Sequence, residues 1–250
     1  KIHLRCLLKT KFIVEGFFDT NQEVSDQIAT EYNVKAFRDF DSMLDAVDCI
    51  DIVSPTVFHF EIAKKAIIKG KHIFIEKPLT ETTEQARELV SLAIKYNVIV
   101  QVGHVERYNP AIRSMSGVKF NPKFIEGHRL AMFNPRGTDV SVVLDLMIHD
   151  LDIILSLIKS EVKNVSANGV CIVSNTPDIC NARIEFVNGS VANLTASRIS
   201  LKNMRKIRIF QDDAYISLDF LDKDAQVIKI ENHIEGDNFS GMTMHTNTGL

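Results

Sequence analysis

Short apolar runs alternate with amphipathic helical patterns along the N-terminal part of the chain, and this alternation constrains the fold more than any other feature. Strands are predicted at residues 12–19, 49–54, 72–77 and 98–103, with helices between them. Successive strands joined by helices form right-handed βαβ units around a parallel sheet. Residues 1–103 are therefore predicted to form an α/β domain.

The pattern changes in the second part of the chain. A strand near residues 124–131 precedes a long apolar helix at about 142–158, and strands and hairpins follow. Asn188-Gly189 stands between two strand-like runs and predicts a two-residue type I′ turn. Residues 104–250 are therefore predicted to form an α+β domain, with helices on one face of an open, mostly antiparallel sheet.

The charge and hydropathy of the chain exclude several classes of partner. A formal net charge of −3 and a pI of about 6.3 argue against binding to nucleic acid or to an anionic membrane surface. No apolar run approaches the roughly 18 residues that a membrane-spanning helix needs. Small molecules are the expected partners.

The four cysteines, Cys6, Cys49, Cys171 and Cys180, form no C-x-x-C pair and no cluster with histidines. Neither a zinc site nor a disulfide framework is indicated. Cys49 and Cys171 lie in apolar runs and are predicted to be buried thiols. Free thiols are typical of a reducing compartment, so a cytoplasmic location is expected.

The strand predicted at residues 72–77 ends in Glu76-Lys77-Pro78. Ligands of open parallel sheets bind outside the carboxyl ends of the strands. Lys77 is therefore a candidate contact to a cofactor or a substrate, and Glu76 could bond a ribose or pair with Lys77. The alternative for Lys77 is an ordinary surface charge.

Asp19 ends the first predicted strand, where an acidic residue would bond the ribose hydroxyls of a dinucleotide. Its carboxylate would repel a 2′-phosphate, and no Arg or Lys follows in residues 20–23, so NAD is favoured over NADP. The alternative is a helix cap or a solvated strand end.

The turn after the strand at residues 49–54 is the second candidate for cofactor contact. Ser54, Pro55, Thr56 and His59 lie where a cofactor would cross the sheet, and small hydroxyls and backbone groups suit ribose and amide contacts. The alternative is an ordinary strand-to-helix turn, and for His59 alone that alternative is favoured.

Asp145 and His149 are spaced i, i+4 on an otherwise apolar helix, which places both side chains on one face. A carboxylate that accepts from one imidazole nitrogen raises the basicity of the other, as in an oriented general base. A satisfied polar patch remains an alternative. No metal site is predicted, because a further ligand is lacking. Asp150 and Asp152 are predicted to be caps or solvated.

Two polar loops precede this helix and are rich in donors and acceptors. Arg107, Tyr108 and Asn109 lie in the first loop and Arg136 in the second. Such loops often converge on polyhydroxyl or anionic ligands, so these four residues are candidate substrate contacts. Ordinary loop solvation is the alternative.

Together, IEKP at residues 75–78, VGHVERYNP at 102–110 and VVLDLMIHDLD at 142–152 resemble the Gfo/Idh/MocA family of oxidoreductases. The resemblance implies an N-terminal Rossmann domain, with a doubly wound parallel sheet that binds NAD(P), and a C-terminal antiparallel sheet. Members oxidise or reduce a secondary hydroxyl of a sugar or polyol. They commonly pair through the outer face of the C-terminal sheet, so a homodimer or homotetramer is expected.

The resemblance also implies roles for single residues. Lys77 matches the family's catalytic lysine, while Asp145 and His149 match its acid/base positions. Asp19 matches the ribose acid. The substrate implied is a sugar, an amino sugar or a nucleotide sugar, with most similarity to members acting on UDP-linked amino sugars. The further residues carried over are Glu76, Pro55 and His59 for the cofactor and Arg107, Tyr108 and Asn109 for the substrate.

Two other classes of function remain open on the sequence alone. One is a Rossmann-type protein that binds a dinucleotide or another ligand without catalysis, and the other is a metal-assisted lyase or hydrolase. The chain also departs from the family pattern, because the first strand and the Gly-x-Gly-x-x-Gly turn expected before Ile2 are absent. The closing helix expected after Leu250 is absent too. The natural chain is therefore expected to extend beyond both ends.

Overall fold

The computed structural model describes residues 1–135, 140–235 and 238–248, with side chains described up to residue 229. The chain divides into two compact units, Lys1–Gly103 and His104–Leu250.

The first unit is a βαβ domain with parallel strands, as predicted. Strands β1 and β2 form one parallel pair, and β3, β4 and β5 form a second parallel sheet in that order. Its strands are β1 (Phe17–Phe18), β2 (Ala36–Phe37), β3 (Cys49–Ile52), β4 (His72–Ile75) and β5 (Val100–Val102). Its helices are α1 (Ile2–Leu7), α2 (Gln22–Tyr32), α3 (Phe40–Ala46), α4 (His59–Ile68) and α5 (Thr83–Tyr96).

Local sequence signals set the ends of these helices. The side chains of Asn21, Asp39 and Thr82 accept hydrogen bonds from backbone N–H groups in the first turns of α2, α3 and α5. Asn33 and Asn97 end α2 and α5 in the left-handed conformation. These contacts define the first turns of α2, α3 and α5 and the last turns of α2 and α5.

The core of this unit lies between α4 and the sheet β3–β4–β5. On α4, Ala63, Ala66 and Ile67 are fully buried, since residues three or four apart share one helix face. They pack in one cluster with the alternate buried residues of the strands, Ile50, Ile52, Ile73 and Ile75.

Two predictions for this unit are wrong. The strand predicted at residues 12–19 is only Phe17–Phe18, and Phe12 and Ile13 are 67% and 85% exposed. Apolar character makes a strand only where a neighbouring strand satisfies its backbone, and β1 pairs with β2 over only two residue pairs. Cys49 is exposed and is the first residue of β3.

The second unit is built on an eight-stranded, mostly antiparallel sheet, as predicted. The strand order is β13-β12-β11-β10-β6-β9-β8-β7, and only the β6–β9 pair is parallel. The strands are β6 (Phe124–Leu130), β7 (Val162–Val170), β8 (Ile179–Phe186), β9 (Val191–Ser197), β10 (Met204–Gln211), β11 (Ala214–Asp219), β12 (Asp224–Glu235) and β13 (Asn238–Thr248). The unit also contains a 3-10 helical turn (Val105–Tyr108), helix α6 (Pro110–Arg113), a π-helical turn (Val143–Met147) and α7 (Ile148–Leu157).

One face of the sheet carries the core. Alternate residues of its central strands are buried and pack against Met147, Ile153 and Ile154 of the π-turn and α7. At Gly127 on β6 a Cβ atom would lie 2.5 Å from Cδ2 of the fully buried Leu194, so a larger residue would force the Leu194 side chain to move within the core.

Two further predictions for this unit are wrong. Gly189 alone has a positive φ in the turn after β8, where Gly189 N–H donates to Phe186 O, so the turn is not type I′. Instead, a short connection joins the two strands, and Gly189 within it adopts the left-handed conformation. Cys171 is exposed, because it follows β7, which is exposed along its whole length.

Replacing Gly127 with alanine should destabilise the protein by about 1–3 kcal/mol, because the added methyl group overpacks the sheet against Leu194. Urea unfolding monitored by circular dichroism measures the change. Gly117→Ala is the matched control, since nothing lies within 4 Å of its Cβ position. Equal stability of the two variants would contradict the close packing described for Gly127.

Candidate active site

In the first unit, the candidate site lies at the carboxyl end of β4. Glu76 N–H donates to Ile52 O, Gly103 N–H donates to Ile75 O, and the Lys77–Pro78 peptide bond is cis. The Glu76 carboxylate accepts a hydrogen bond from Lys77 N–H at 3.1 Å. The backbone therefore fixes the position of Glu76 and half-buried Lys77 beside the ends of β3 and β5.

A histidine that the sequence analysis did not select contacts this strand end. Nε2 of His3 lies 3.0 Å from Glu76 Oε1, and its Nδ1 lies 2.9 Å from Asp51 Oδ2. A neutral imidazole has a donor on only one nitrogen, so two flanking carboxylates require an imidazolium or a protonated carboxyl. The sequence feature that could have pointed to this contact is Asp51, a charged residue within the otherwise apolar strand CIDI.

Burial raises the pKa of the Asp51 carboxyl, while His3 opposes the rise. A carboxyl with a raised folded-state pKa contributes stability that is lost as pH rises above its ordinary value. The unfolding free energy of the wild type should therefore fall relative to Asp51→Asn as the pH rises above about 4, the ordinary pKa of an aspartate. Urea titrations above this pH measure the difference, with the exposed Asp48→Asn variant as control. A difference that does not change with pH would contradict the burial of an ionisable Asp51.

His59 ties the ends of β3 and β4 together. Its ring is 1% exposed, with Nδ1 2.9 Å from Pro78 O and Nε2 2.9 Å from Ser54 O. The Ser54 hydroxyl is buried and has no hydrogen-bond partner among the described residues. A buried hydroxyl of this kind can receive a ligand group. Pro55 and Thr56 follow in the same turn.

Asp19 stands at the end of β1, half-buried, and its Oδ1 accepts a hydrogen bond from Asn21 N–H at 2.8 Å. Asn21, and not Asp19, is the N-cap of α2, so the contact of Asp19 stabilises the turn that leads into the helix. That contact occupies one carboxylate oxygen and keeps the negative charge at the strand end.

In the second unit, Asp145 lies in the π-turn and His149 in the first turn of α7. The N–H of Ile148 donates to Val143 O, five residues back, so the predicted single helix is widened at this point. π-turns of this kind occur frequently at functional sites. No sequence signal distinguishes such a turn from an ordinary helix.

Asp145 also lines a cavity of about 450 Å³ in this unit. Asn203 Oδ1 accepts from Met132 N–H on the cavity wall, and Arg198 is almost fully buried, with its Nε 2.9 Å from Asp178 Oδ1. The sequence analysis missed these residues, because nothing local marks them. The lining residues are Ala131, Met132, Phe133, Asn134, Asp145, Leu146, Arg198 and Asn203.

A buried ion network lies beside His149. Arg129 Nη2 and Nε donate to Asp150 Oδ1 at 2.7 and 3.0 Å, and its Nη1 lies 3.4 Å from Glu106 Oε1. Both Arg129 and Asp150 are 2% exposed, so the prediction of a capping or solvated Asp150 is wrong. Burial raises the pKa of Asp150, and Arg129 opposes the rise. The network joins β6, the loop at Glu106 and helix α7.

The first polar loop is attached to α7 by a second ion pair. Arg107 Nε donates to Asp152 Oδ2 at 2.6 Å, and only 10% of the Asp152 side chain is exposed, so the prediction that Asp152 is a cap or solvated is also wrong. Asn109 caps α6 and donates to Glu106 Oε2 and Phe220 O. Tyr108 is 70% exposed.

The substrate roles of Arg107, Tyr108 and Asn109 remain predictions, and the predicted contact Arg136 lies outside the described residues. Among the described residues, no group of three His, Cys, Asp or Glu side chains could hold a metal ion. None of the described helices is long and apolar enough to span a membrane.

Comparison with known proteins identifies the family. Residues 3–104 match the Gfo/Idh/MocA oxidoreductase family with an NAD-binding Rossmann fold, and residues 112–217 match the family's C-terminal domain. The chain is 41% identical over 213 residues to UDP-N-acetylglucosamine 3-dehydrogenase of Acidithiobacillus ferrooxidans, covering 85% of this chain and 68% of that protein. The chain belongs to the Gfo/Idh/MocA family. The resemblance found in its motifs is therefore confirmed.

Other relatives agree with this assignment. The scyllo-inositol 2-dehydrogenase (NAD+) of Bacillus subtilis is 29% identical over 196 residues, covering 70% of this chain and 57% of that protein. The solved structure of the Acidithiobacillus enzyme GnnA superposes with a TM-score of 0.84 at 37% identity, covering 94% of this chain and 75% of that one. Levoglucosan dehydrogenase in complex with NADH and levoglucosan shares the fold, with a TM-score of 0.79 at 20% identity, covering 94% and 71%.

Replacing Arg129 with methionine should destabilise the protein by about 3–5 kcal/mol, because Asp150 would remain buried without the guanidinium that pairs with it. Chemical unfolding measures the loss. Arg208→Met is the matched control, since its pair with Glu126 is more than a third exposed and should cost about 1 kcal/mol or less. A double variant, Arg129→Met with Asp150→Asn, should recover part of the loss. Equal losses for the two single variants would contradict the network's structural role.

Proposed function

We propose that the protein is an NAD-dependent dehydrogenase that oxidises a secondary hydroxyl of a UDP-linked amino sugar. The observation that carries the proposal is the presence of Lys77, Asp145 and His149 in the folded contexts that the family pattern implies. Lys77 follows a parallel strand in the NAD-binding unit, and Asp145 lines a cavity in the other unit, four residues before His149. The 41% identity to an enzyme named for UDP-N-acetylglucosamine supports the choice of substrate class.

The cofactor role of the first unit is supported by the turn after β3. The buried Ser54 hydroxyl without a described partner, next to Pro55 and Thr56, fits a ribose or amide group of a dinucleotide. Glu76 is held at the neighbouring strand end and can accept from a ribose hydroxyl. Bound NAD would supply the hydride acceptor.

Asp19 is the basis for proposing NAD and not NADP. Its half-buried carboxylate ends β1 and is held by Asn21 N–H, so a negative charge is fixed where a dinucleotide fold places the adenosine ribose. A carboxylate accepts from the two ribose hydroxyls and repels a 2′-phosphate.

His149 is proposed as the general base that takes the proton of the reacting hydroxyl, and Asp145 as the carboxylate that orients it. The π-turn and the ion network beneath α7 hold both residues on one rigid segment. Lys77, in the first unit, is proposed as a cationic hydrogen-bond donor that stabilises developing negative charge on the substrate.

The cavity beside Asp145 supports a substrate with both polar and apolar parts. Asn134 and Asn203 give its wall amide side chains, while Met132 and Phe133 are about half exposed and apolar. A sugar that carries an acetamido group offers matching amide and methyl surfaces. The four cysteines are free, which is consistent with the proposed cytoplasmic location.

Replacing His149 with alanine should lower the turnover number by about two to four orders of magnitude and leave the Michaelis constant for NAD nearly unchanged, because only proton transfer is removed. Absorbance of NADH during oxidation of UDP-N-acetylglucosamine measures the rate. His128→Ala on β6 is the matched control for loss of an imidazole in the same unit. Wild-type turnover in the His149 variant would remove the assignment, and NAD binding without any turnover by the wild type would favour a non-catalytic protein.

A further inference from the structure

Strand β7 is an exposed edge of the eight-stranded sheet. It pairs with β8 on one side, and no other described strand pairs with its second side. All nine of its residues are exposed, including Val162, Val165 and Val170 at 44%, 56% and 53%. An open edge strand of this length with apolar side chains is a template for pairing with another strand.

The backbone of β7 presents an ordered row of hydrogen-bonding groups to this open side. Val170 O accepts from Asp178 N–H, on the β8 side of the strand. Because successive residues of a strand point their backbone groups to opposite sides, Val165, Ala167 and Gly169 direct their N–H and C=O groups away from β8. Ser166 then occupies a non-hydrogen-bonded position on the open side.

The sequence of β7, VKNVSANGV, is nearly symmetric about Ser166. In an antiparallel pair of two identical strands centred there, Asn164 would oppose Asn168. Val165 would oppose Ala167, and Ser166 would oppose Ser166 of the second strand. The strand's one charged residue, Lys163, lies at the register shift between Val162 and Asn164, outside this central pairing, so no like charges meet in it.

We propose that β7 pairs antiparallel with β7 of a second copy of this chain, with the two-fold axis at Ser166. The pairing joins the two eight-stranded sheets edge to edge into one continuous sheet. It satisfies the outward backbone groups of Val165 and Ala167 in both copies by reciprocal hydrogen bonds.

The symmetry of β7 favours a second copy of the chain as the partner that pairs with its open side. A two-fold interface requires a surface that is complementary to itself, and a strand that reads alike in both directions about its centre has that property. The side chains agree with the pairing on both faces of the sheet. Val165 and Ala167 lie opposite the buried Ile184 and Ala182 of β8, so their pairing extends the apolar face, while Asn164, Ser166 and Asn168 form a polar row on the other.

A single cysteine at the proposed axis tests the register. Ser166→Cys, in a background where the exposed Cys6, Cys49 and Cys171 are replaced by serine, should form a disulfide-linked dimer on mild oxidation. Directly opposed non-hydrogen-bonded residues have Cα atoms about 4.5 Å apart, which a disulfide can bridge. Non-reducing gel electrophoresis measures the linked fraction.

Asn168→Cys in the same background is the matched control. It lies on the same strand and the same face, but four residues of strand, about 13 Å, would separate the two cysteines. The Ser166 variant should give about ten-fold more linked dimer than this control. Equal linking by the two variants, or none by the Ser166 variant, would overturn the proposed pairing.

Proline at position 167 tests the backbone contacts without removing a pairing bond to β8. The N–H of Ala167 faces the open side, where an edge strand tolerates proline, so Ala167→Pro should stay folded and lose the interface. Light scattering after size-exclusion chromatography should show half the mass of the wild-type assembly, while Ala167→Ser keeps the full mass. A wild type that is monomeric, or a folded proline variant with wild-type mass, would overturn the proposal.

Discussion

The register of the three parallel strands β3, β4 and β5 is the constraint on which the candidate cofactor site depends. Glu76 N–H bonds to Ile52 O and Gly103 N–H bonds to Ile75 O, so the three strands end at one level. Side chains that are far apart in sequence therefore meet at one edge: the buried Ser54 hydroxyl and the Glu76-Lys77 segment. His59 and His3 then fix these ends, one through two carbonyl oxygens and the other through two carboxylates.

In the second unit, a different kind of interaction holds the candidate residues in place. Buried charge, and not strand register, attaches the helix of Asp145 and His149 to the sheet and to the first polar loop. Arg129 reaches both Asp150 and Glu106, and Arg107 reaches Asp152. The Arg129–Asp150 pair is costly to break, because removing Arg129 leaves the Asp150 carboxyl buried without its partner. The pair therefore favours one arrangement of the segment around His149, which the proposed proton transfer requires.

The sequence predicted the features that depend on local pattern. It did not predict the features that depend on contacts between residues far apart in the chain. The alternation of strands and helices predicted the parallel strands of the first unit, and the run of strands and hairpins predicted the mostly antiparallel sheet of the second. From apolar character alone, the first strand was predicted to be too long, and Cys49 and Cys171 were predicted to be buried when they are exposed. Burial depends on which strand lies alongside. The partners of Asp150 and Asp152, and the contacts of His3, come from residues 21 to 73 positions away and leave no local trace.

Calorimetric titration of the protein with NAD and with NADP tests the central claim most directly, since cofactor binding underlies every catalytic role proposed here. The predicted result is that the protein binds NAD with at least ten-fold higher affinity than NADP, because the Asp19 carboxylate repels a 2′-phosphate. Asp19→Asn should reduce this preference and keep the fold. Binding of neither dinucleotide, or tighter binding of NADP, would contradict the account.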